Sequence, residues 1–557
     1  MSQSLSKITL SAVALLLALA PATAVVAQQV KPVVVVSIAP IEKQRQDASY
    51  LAELVGKKDD ADGLLNLAPI FLNGIDMKRP SGGYVIPAEG NEFKFVVFVP
   101  VTKLETVLTT FKEYLPKPTD VGGGILQFDP PGEAGESVFV KEVKGWAFLS
   151  NDKASLGDLP ADPVALLGNL PTLYNVAVRA NVHDIPEELR KTAIDALRSG
   201  FDQGIGDAAG GDDDRELAEQ VARTSAKQFE RMIEEINQIT VGWGVDRMQK
   251  ATYVDFTITA VAGSAMERQM ALLKDATSKF SGFLLPGASI NANGSTQISP
   301  EDVEQNVTML KLVQDRANKE IDNDAGLDPN QRVSAKELIG EFFGVLTDTV
   351  KGGKIDYGAA LVLDEKKLNF AGGILVSDGK RVEAAFSKLV EFAKNEPEFP
   401  NVKLNAGKHG NVTLHTITAD IKEEDKEARM LFGEKLNVVV GTAPKAIYLA
   451  FGQDGEALMK QAIDNSAAQA AETVPPSQIN VFLKPILKFA ASMDDSGNPM
   501  LAEVVKAAEA AEEGTDEVKL FSKAIPGGAM GRLQVNEGVL KLIGDAANAI
   551  QKSGSRE

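Results

Sequence analysis

The chain has 557 residues, 44% of them hydrophobic and 24% charged, which is the composition of a folded globular protein rather than a disordered one. Its net charge of −19 repels phosphate backbones and anionic lipid, which argues against nucleic acid as a partner. With no cysteine anywhere, disulfides and thiol chemistry are excluded and stability rests on burial.

Lys7, the apolar run Leu10 to Leu19 and the small residues that follow make the three parts of a secretory signal, with cleavage expected after Ala27 and Ala24 as the alternative. The run is shorter than the roughly 20 residues of a spanning helix, and no later segment reaches that length uninterrupted. The mature chain is therefore expected in the periplasm or outside the cell, without a transmembrane segment. About 530 residues remain, enough for three to four domains or one large repeated architecture.

Pro32 to Ile38 reads as a buried strand, and residues 50 to 80 as helix giving way to the turn Pro80-Ser81-Gly82-Gly83. A hairpin follows from Tyr84, in whose second strand Phe93, Phe95, Val97 and Val99 alternate; Leu104, Val107, Leu108, Phe111 and Leu115 then stripe a helix. Further strands are expected at 122–128, 137–140 and 145–150, with another at Val176 to Ala180. Residues 202–214, rich in Gly and Asp, read as a loop, and a long amphipathic helix is expected from Arg215 to Ile239. Val254, Phe256, Ile258 and Ala260 then alternate, and Met266, Met270, Leu273 and Phe280 are expected to line the next helix. Two more helices, about 300–321 and 334–350, flank the acidic segment Asp322 to Asp328.

From Lys354 the pattern of the first hairpin returns. Leu368, Phe370, Gly372, Ile374 and Val376 alternate, Ser377-Asp378-Gly379 caps a helix, and Val382, Ala385, Phe386, Leu389 and Ala393 form its apolar stripe. Phe95 and Phe111 are separated by the same sixteen-residue interval as Phe370 and Phe386. Residues 84–111, 240–273 and 355–389 are accordingly expected to be equivalent hairpin-plus-helix units, with a looser copy at 518–550. A second echo links Gly145-Trp146-Ala147-Phe148-Leu149-Ser150 to Ala446-Ile447-Tyr448-Leu449-Ala450-Phe451, each followed by a polar turn and a helix start.

The fold expected is α+β, with mainly antiparallel sheets covered by helices on one face and hairpin-plus-helix units repeated in two related lobes. The divisions are a signal peptide (1–27), an N-terminal lobe (28–201), a helix-rich middle with one hairpin-helix unit (202–350) and a C-terminal lobe (351–557). These recurring segments, above all 143–152 and 446–458, resemble a group of exported bacterial proteins of unknown function frequent in planctomycete-type genomes. That resemblance implies no catalytic residues.

Candidate chemistry is sparse. The three histidines, His183, His409 and His415, show no metal-binding spacing, and there is no nucleophile elbow, P-loop or dinucleotide fingerprint. Trp146 and Trp243 fit strands in a core. Asp322-Asn323-Asp324-Ala325-Gly326-Leu327-Asp328 alternates oxygen ligands as a calcium loop would, but Gly326 comes one place early and Val333 stands where a bidentate Glu belongs; a turn rich in side-chain hydrogen bonds is the simpler reading. No catalytic or cofactor-binding residue is assigned, no cofactor is expected, and a metal site is left open. The function expected is that of an exported, non-catalytic protein of the cell envelope that binds an envelope protein or ligand or serves structurally; the alternatives are a carboxylate-based hydrolase and a carrier of an apolar ligand.

Overall fold

The computed structural model describes residues 31–88, 93–129, 137–208, 226–227, 229–324, 326–394, 399–494, 496–510, 512 and 514–554. The segment read as a signal and the Asp212–Asp214 run lie outside them. The described residues form two compact units that divide between Glu267 and Arg268, so that the stretch 202–350 contributes to both.

In the first unit ten strands are built as β1 (Val34–Ile38), β2 (Ser81–Pro87), β3 (Phe93–Pro100), β4 (Thr119–Asp120), β5 (Ile125–Phe128), β6 (Val138–Val143), β7 (Trp146–Ser150), β8 (Val176–Ala180), β9 (Ile236–Asp246) and β10 (Ala251–Ala260). Every pairing is antiparallel, and the spatial order is 4-5-6-7-3-2-1-8-9-10. Helices α1 (Ile41–Leu54) and α2 (Lys58–Phe71) join β1 to β2, α3 (Leu104–Thr110) follows β3, α4 (Glu187–Ala208) follows β8, and α5 (Ala265–Met270) follows β10.

The second unit repeats this plan strand for strand. Its ten strands are β11 (Ile290–Gln297), β12 (Lys354–Asp364), β13 (Lys367–Leu375), β14 (Asn401–His409), β15 (Val412–Asp420), β16 (Lys435–Ala443), β17 (Ala446–Phe451), β18 (Gln478–Phe482), β19 (Glu517–Ile525) and β20 (Gly528–Asn536). Their antiparallel order, 14-15-16-17-13-12-11-18-19-20, is the first order with ten added to each number. Most connections match as well, the helix before β16 having no counterpart among the described residues of the first unit. Helices α6 (Pro300–Asn323) and α7 (Pro329–Lys351) join β11 to β12, and α8 (Gly379–Ala393) follows β13. Then α9 (Lys426–Phe432) precedes β16, α10 (Gly455–Ala468) follows β17, α11 (Leu483–Ser492) and α12 (Pro499–Ala510) join β18 to β19, and α13 (Glu537–Gly554) ends the unit. A two-stranded pair, Thr277 with Thr473 and Ala276 with Val474, is an addition of this unit alone among the described residues.

Each unit is itself double. Strand, helices, hairpin, helix is the order from β1 to α3 and again from β8 to α5, and the two modules meet where β1 and β8 pair antiparallel, centred on Val36 opposite Val178. In the second unit β11 and β18 meet in the same way, with Ala292 opposite Ile479. The four hairpin-plus-helix segments read from the sequence thus occupy two kinds of place: 84–111 matches 355–389 next to the four-stranded extension, and 240–273 matches 518–550 at the other end of each sheet. Register carries the match to single residues. Leu149–Val97–Gly83–Val36–Val178–Val241–Phe256 crosses the first sheet as one row, and Leu449–Gly372–Ala359–Ala292–Ile479–Leu520–Leu533 crosses the second. One row further, Phe95 stands where Phe370 does.

The two faces of each sheet differ sharply. On one, Val35, Val96, Phe98 and Phe148 of the first unit are sealed by Leu156 and Leu167 from the connection after β7. The corresponding face of the second unit is sealed by Met459 and Ala462 of α10 and by Phe280 and Phe283. Gly82 and Gly358 hold equivalent positions here, and at both a Cβ would collide with core atoms: 2.8 Å from Leu167 at the first, 2.8 Å from Phe280 and Phe283 at the second. Where β3 places Phe98, β13 has Gly373, and the Phe280 ring fills the space, 2.7 Å from where a Cβ would stand. The two cores reach similar aromatic filling from different places in the chain.

The opposite face carries the apolar rows, and these stay half open: Val241 is 42% exposed and Phe256 48%, against 42% for Leu449 and 47% for Leu520. The alternation of the hairpin's second strand implies one buried face, but Phe370 and Ile374 stand on this open one and only Val376 at its end is buried; the sealed face of β13 is that of Asn369 and Ala371. Likewise Leu389 of α8 is exposed and Phe386 only half-buried.

Three other expectations are corrected. Helix α4 runs on through Gly204 and Gly206 to Ala208, where a loop was expected from 202; the rest of that segment lies outside the described residues. The helix expected to reach Ile239 gives way at Ile236, because Ile236 to Asp246 pairs with β10 along its whole length and that ladder outweighs the helical spacing of the two isoleucines. After β10 the helix stops at Met270; Leu273 lies in a turn, and Phe280 enters the second unit's core instead of lining a helix.

Candidate functional site

Buried Asp47 and Asp356, buried His415 and an open groove along α3 are the candidate places for chemistry.

In the first unit Asp47, on α1, is 2% exposed. Its Oδ2 accepts from Lys43 Nζ and from Asn175 Nδ2, each at 2.8 Å, and Arg247 Nε approaches Oδ1 at 3.3 Å. Asn175, fully buried, accepts from the backbone N–H of Val245 at 3.1 Å and from Lys43 at 2.8 Å. The cluster ties α1 to the strand end at β8 and to the β9–β10 turn. Nearby, Tyr174 lies over Gly242, where a Cβ would be 2.5 Å from its ring, and its hydroxyl donates to buried Asp255 at 3.0 Å.

In the second unit Asp356, on β12, is fully buried. Ser278 Oγ donates to it at 2.5 Å, the Lys279 backbone N–H at 3.1 Å, and Lys354 Nζ lies 3.2 Å away. Asn293 adds a bond to Ser278 Oγ at 3.0 Å. The bonds made by Ser278 and Lys279 fasten the segment before β11 to the sheet, which is how Phe280 and Phe283 are held in the core. Tyr448 is the aromatic neighbour of both; burial, with the Asp356 charge adding to it, pushes its phenol up to about 12, so it stays protonated at any physiological pH.

The histidines divide. His183 is exposed in the turn before α4, and Nε2 of His409 lies 2.8 Å from Oδ1 of Asp464. His415, on β15, is fully buried. It bonds to Thr442 Oγ1 at 3.2 Å, and that hydroxyl donates to Glu383 of α8 at 3.1 Å. Trp146 is buried, with Arg79 4.4 Å above its ring; Trp243 is half-buried on the open face and donates to Thr252 at 2.8 Å.

The acidic segment 322–328 spends its carboxylates on the helices it joins. Asp328 accepts from the N–H groups of Asn330 and Gln331 at 2.8 and 2.9 Å, with Gln331 bonding back to complete a capping box. Asp324 accepts from the Gly326 N–H at 2.8 Å, and Asp322 pairs with Lys336. Among the described residues no group of three or more acidic or histidine side chains is arranged to hold a metal ion.

An open groove of about 420 Å³ runs along α3, lined by Leu104, Leu108, Leu126, Glu105, Lys112 and Glu142. Glu142 is already committed: it accepts from the Leu104 N–H at 3.0 Å and so caps α3 from β6. Sequence reading missed Asp47, Asn175 and Asp356, which look like solvated polar residues on paper. The only signal available was position, since Asp356 lies between Ile355 and Tyr357 in a strand otherwise alternating small and apolar residues.

No described helix is long and apolar enough to cross a membrane. No protein-family model, curated protein or solved structure matches the chain.

Proposed function

We propose that this is an exported, non-catalytic protein of the cell envelope, a binding or structural protein made of two copies of one architecture. The observation that supports this reading is the use made of its buried ionisable groups. Asp47, Asp356 and the Glu383–Thr442–His415 chain each tie a helix or a connecting segment to a sheet, and their hydrogen-bonding capacity is directed inward at backbone or neighbouring side chains. A second reading, a carrier of apolar ligands, is favoured by the half-open apolar rows that recur at equivalent positions in both sheets.

Calorimetry on the chain from Gln28 onward separates the readings. Titration with calcium and then with a long-chain fatty acid should give no saturable heat if the protein is a structural or protein-binding component. Micromolar calcium binding abolished by Asp324→Ala would move the assignment to the hydrolase class. Saturable fatty-acid binding weakened by Leu520→Gln would establish the carrier.

A further inference from the structure

β14 is the outermost strand of its sheet, pairing with β15 alone among the described strands, and its ladder is broken by a bulge between Lys403 and Gly407. In that bulge Asn405 takes a left-handed backbone conformation, φ +53°, which asparagine tolerates better than most residues. Its backbone N–H donates to Nδ1 of His415 at 3.3 Å. An amide N–H can only donate, so Nδ1 must carry a lone pair and the ring proton sits on Nε2, facing Thr442 Oγ1. The Thr442 hydroxyl passes its own proton toward Glu383 Oε2, and the Phe386 ring closes the site edge-on, 5.6 Å between centroids.

We propose that His415 is an acid-released latch: neutral, it accepts from the bulge of β14 and fastens that edge strand to the sheet; protonated, it presents a second N–H to the Asn405 N–H and lets the strand go. Donor facing donor in a buried site leaves both groups unsatisfied, and the exposed bulge is the element free to move. Opening β14 would uncover the ladder edge of β15, a template for pairing with another strand.

The charged surroundings set the direction. From α8 only Glu383 acts on the ring, favouring the charged form; β16 offers uncharged Val440 and Thr442; β14 carries exposed Lys408 at the register position opposite Thr413. Burial outweighs Glu383 and holds His415 below its ordinary value. A base whose folded pKa is depressed contributes full stability above the unfolded value, about 6.5, and loses it as pH falls toward the lowered folded pKa. The latch therefore holds at neutral pH and releases on the acid side.

Hydrogen exchange on the full chain tests this, with rates corrected for intrinsic pH dependence, between pH about 7.5 and about 4.5. Protection at Asn405 and through Asn401–His409 should fall about tenfold or more as His415 titrates, while the β12–β13 ladder keeps its protection. His415→Gln, whose side-chain oxygen can still accept but cannot be protonated in this range, should hold β14 at both ends of the range. Should that variant fail to fold, the wild-type His415 ring resonances and the Asn405 amide shift must titrate together. Unchanged protection at Asn405 once His415 is protonated, or an equal loss in folded His415→Gln, overturns the latch.

Discussion

Phe280→Ala is expected to destabilise the second unit by about 3–5 kcal/mol, the range for emptying a large aromatic site that cannot refill. Phe280 is fully buried, 5.8 Å between ring centroids from Tyr448 and 6.2 Å from Phe283. Beneath it lies Gly373, so no side chain on the strand can move up into the vacancy. Denaturant melts measure the loss, and a value below about 1 kcal/mol would mean that the segment before β11 is not seated on the sheet. Because the first unit fills the same place from the strand with Phe98, adding Gly373→Phe to Phe280→Ala should recover part of the loss.

Asp47→Ala is expected to cost the first unit about 2–4 kcal/mol. The buried amide of Asn175 loses the shorter of its two side-chain acceptors and keeps only Gln44 Oε1 at 3.3 Å, a penalty of about 1–3 kcal/mol by itself, and Lys43 and Arg247 are left facing a buried carboxylate site that is gone. Since both cations are partly exposed and can rehydrate, the loss stays below the upper range for a sealed pair. Asp47→Asn keeps one acceptor for Asn175 and should fall between wild type and alanine. Equal stability of all three proteins in thermal and denaturant melts would show that the cluster does not tie α1 to the sheet.

The strands and hairpins could be read from the sequence because the apolar rows alternate cleanly, and the equivalence of Phe95 with Phe370 is correct to the residue. What could not be read was which side of the alternation is sealed. In the second unit the tightly buried face near β11 carries Asn291, Asn293, Asp356, Asn369 and Asn480, all internally bonded, while the apolar alternates Ile374 and Leu520 stay half open. Polar-alternating strands are ordinarily taken to turn their polar side to water, and here that assignment is reversed. The aromatic filling was equally hidden: Phe280 reads as a helix-stripe residue until the pairing of 276–277 with 473–474 draws its segment across the sheet. The acidic segment was legible as a turn between helices but not in its extent: the helix expected from about 334 starts at Pro329, because Asp328 and Gln331 form a capping box with Pro329 at the first helical position.

The absence of cysteine opens the pairing of two modules in each unit, which meet antiparallel at one strand pair, to direct measurement. Cysteines placed in pairs at Val36 with Val178, and separately at Ala292 with Ile479, stand opposite each other across the two meeting points, with Cβ atoms about 4.5–5.5 Å apart. A third pair, Ile38 with Ala180, lies on the same two strands but at opposite ends of their ladder, about 13 Å apart at the strand rise. A short thiol-to-thiol reagent applied to the folded protein should bridge the first two pairs within the chain and leave the third unlinked. Bridging of Ile38 with Ala180 in preference to Val36 with Val178, or failure of both matched pairs to link while their thiols remain reactive, would contradict the duplicated architecture.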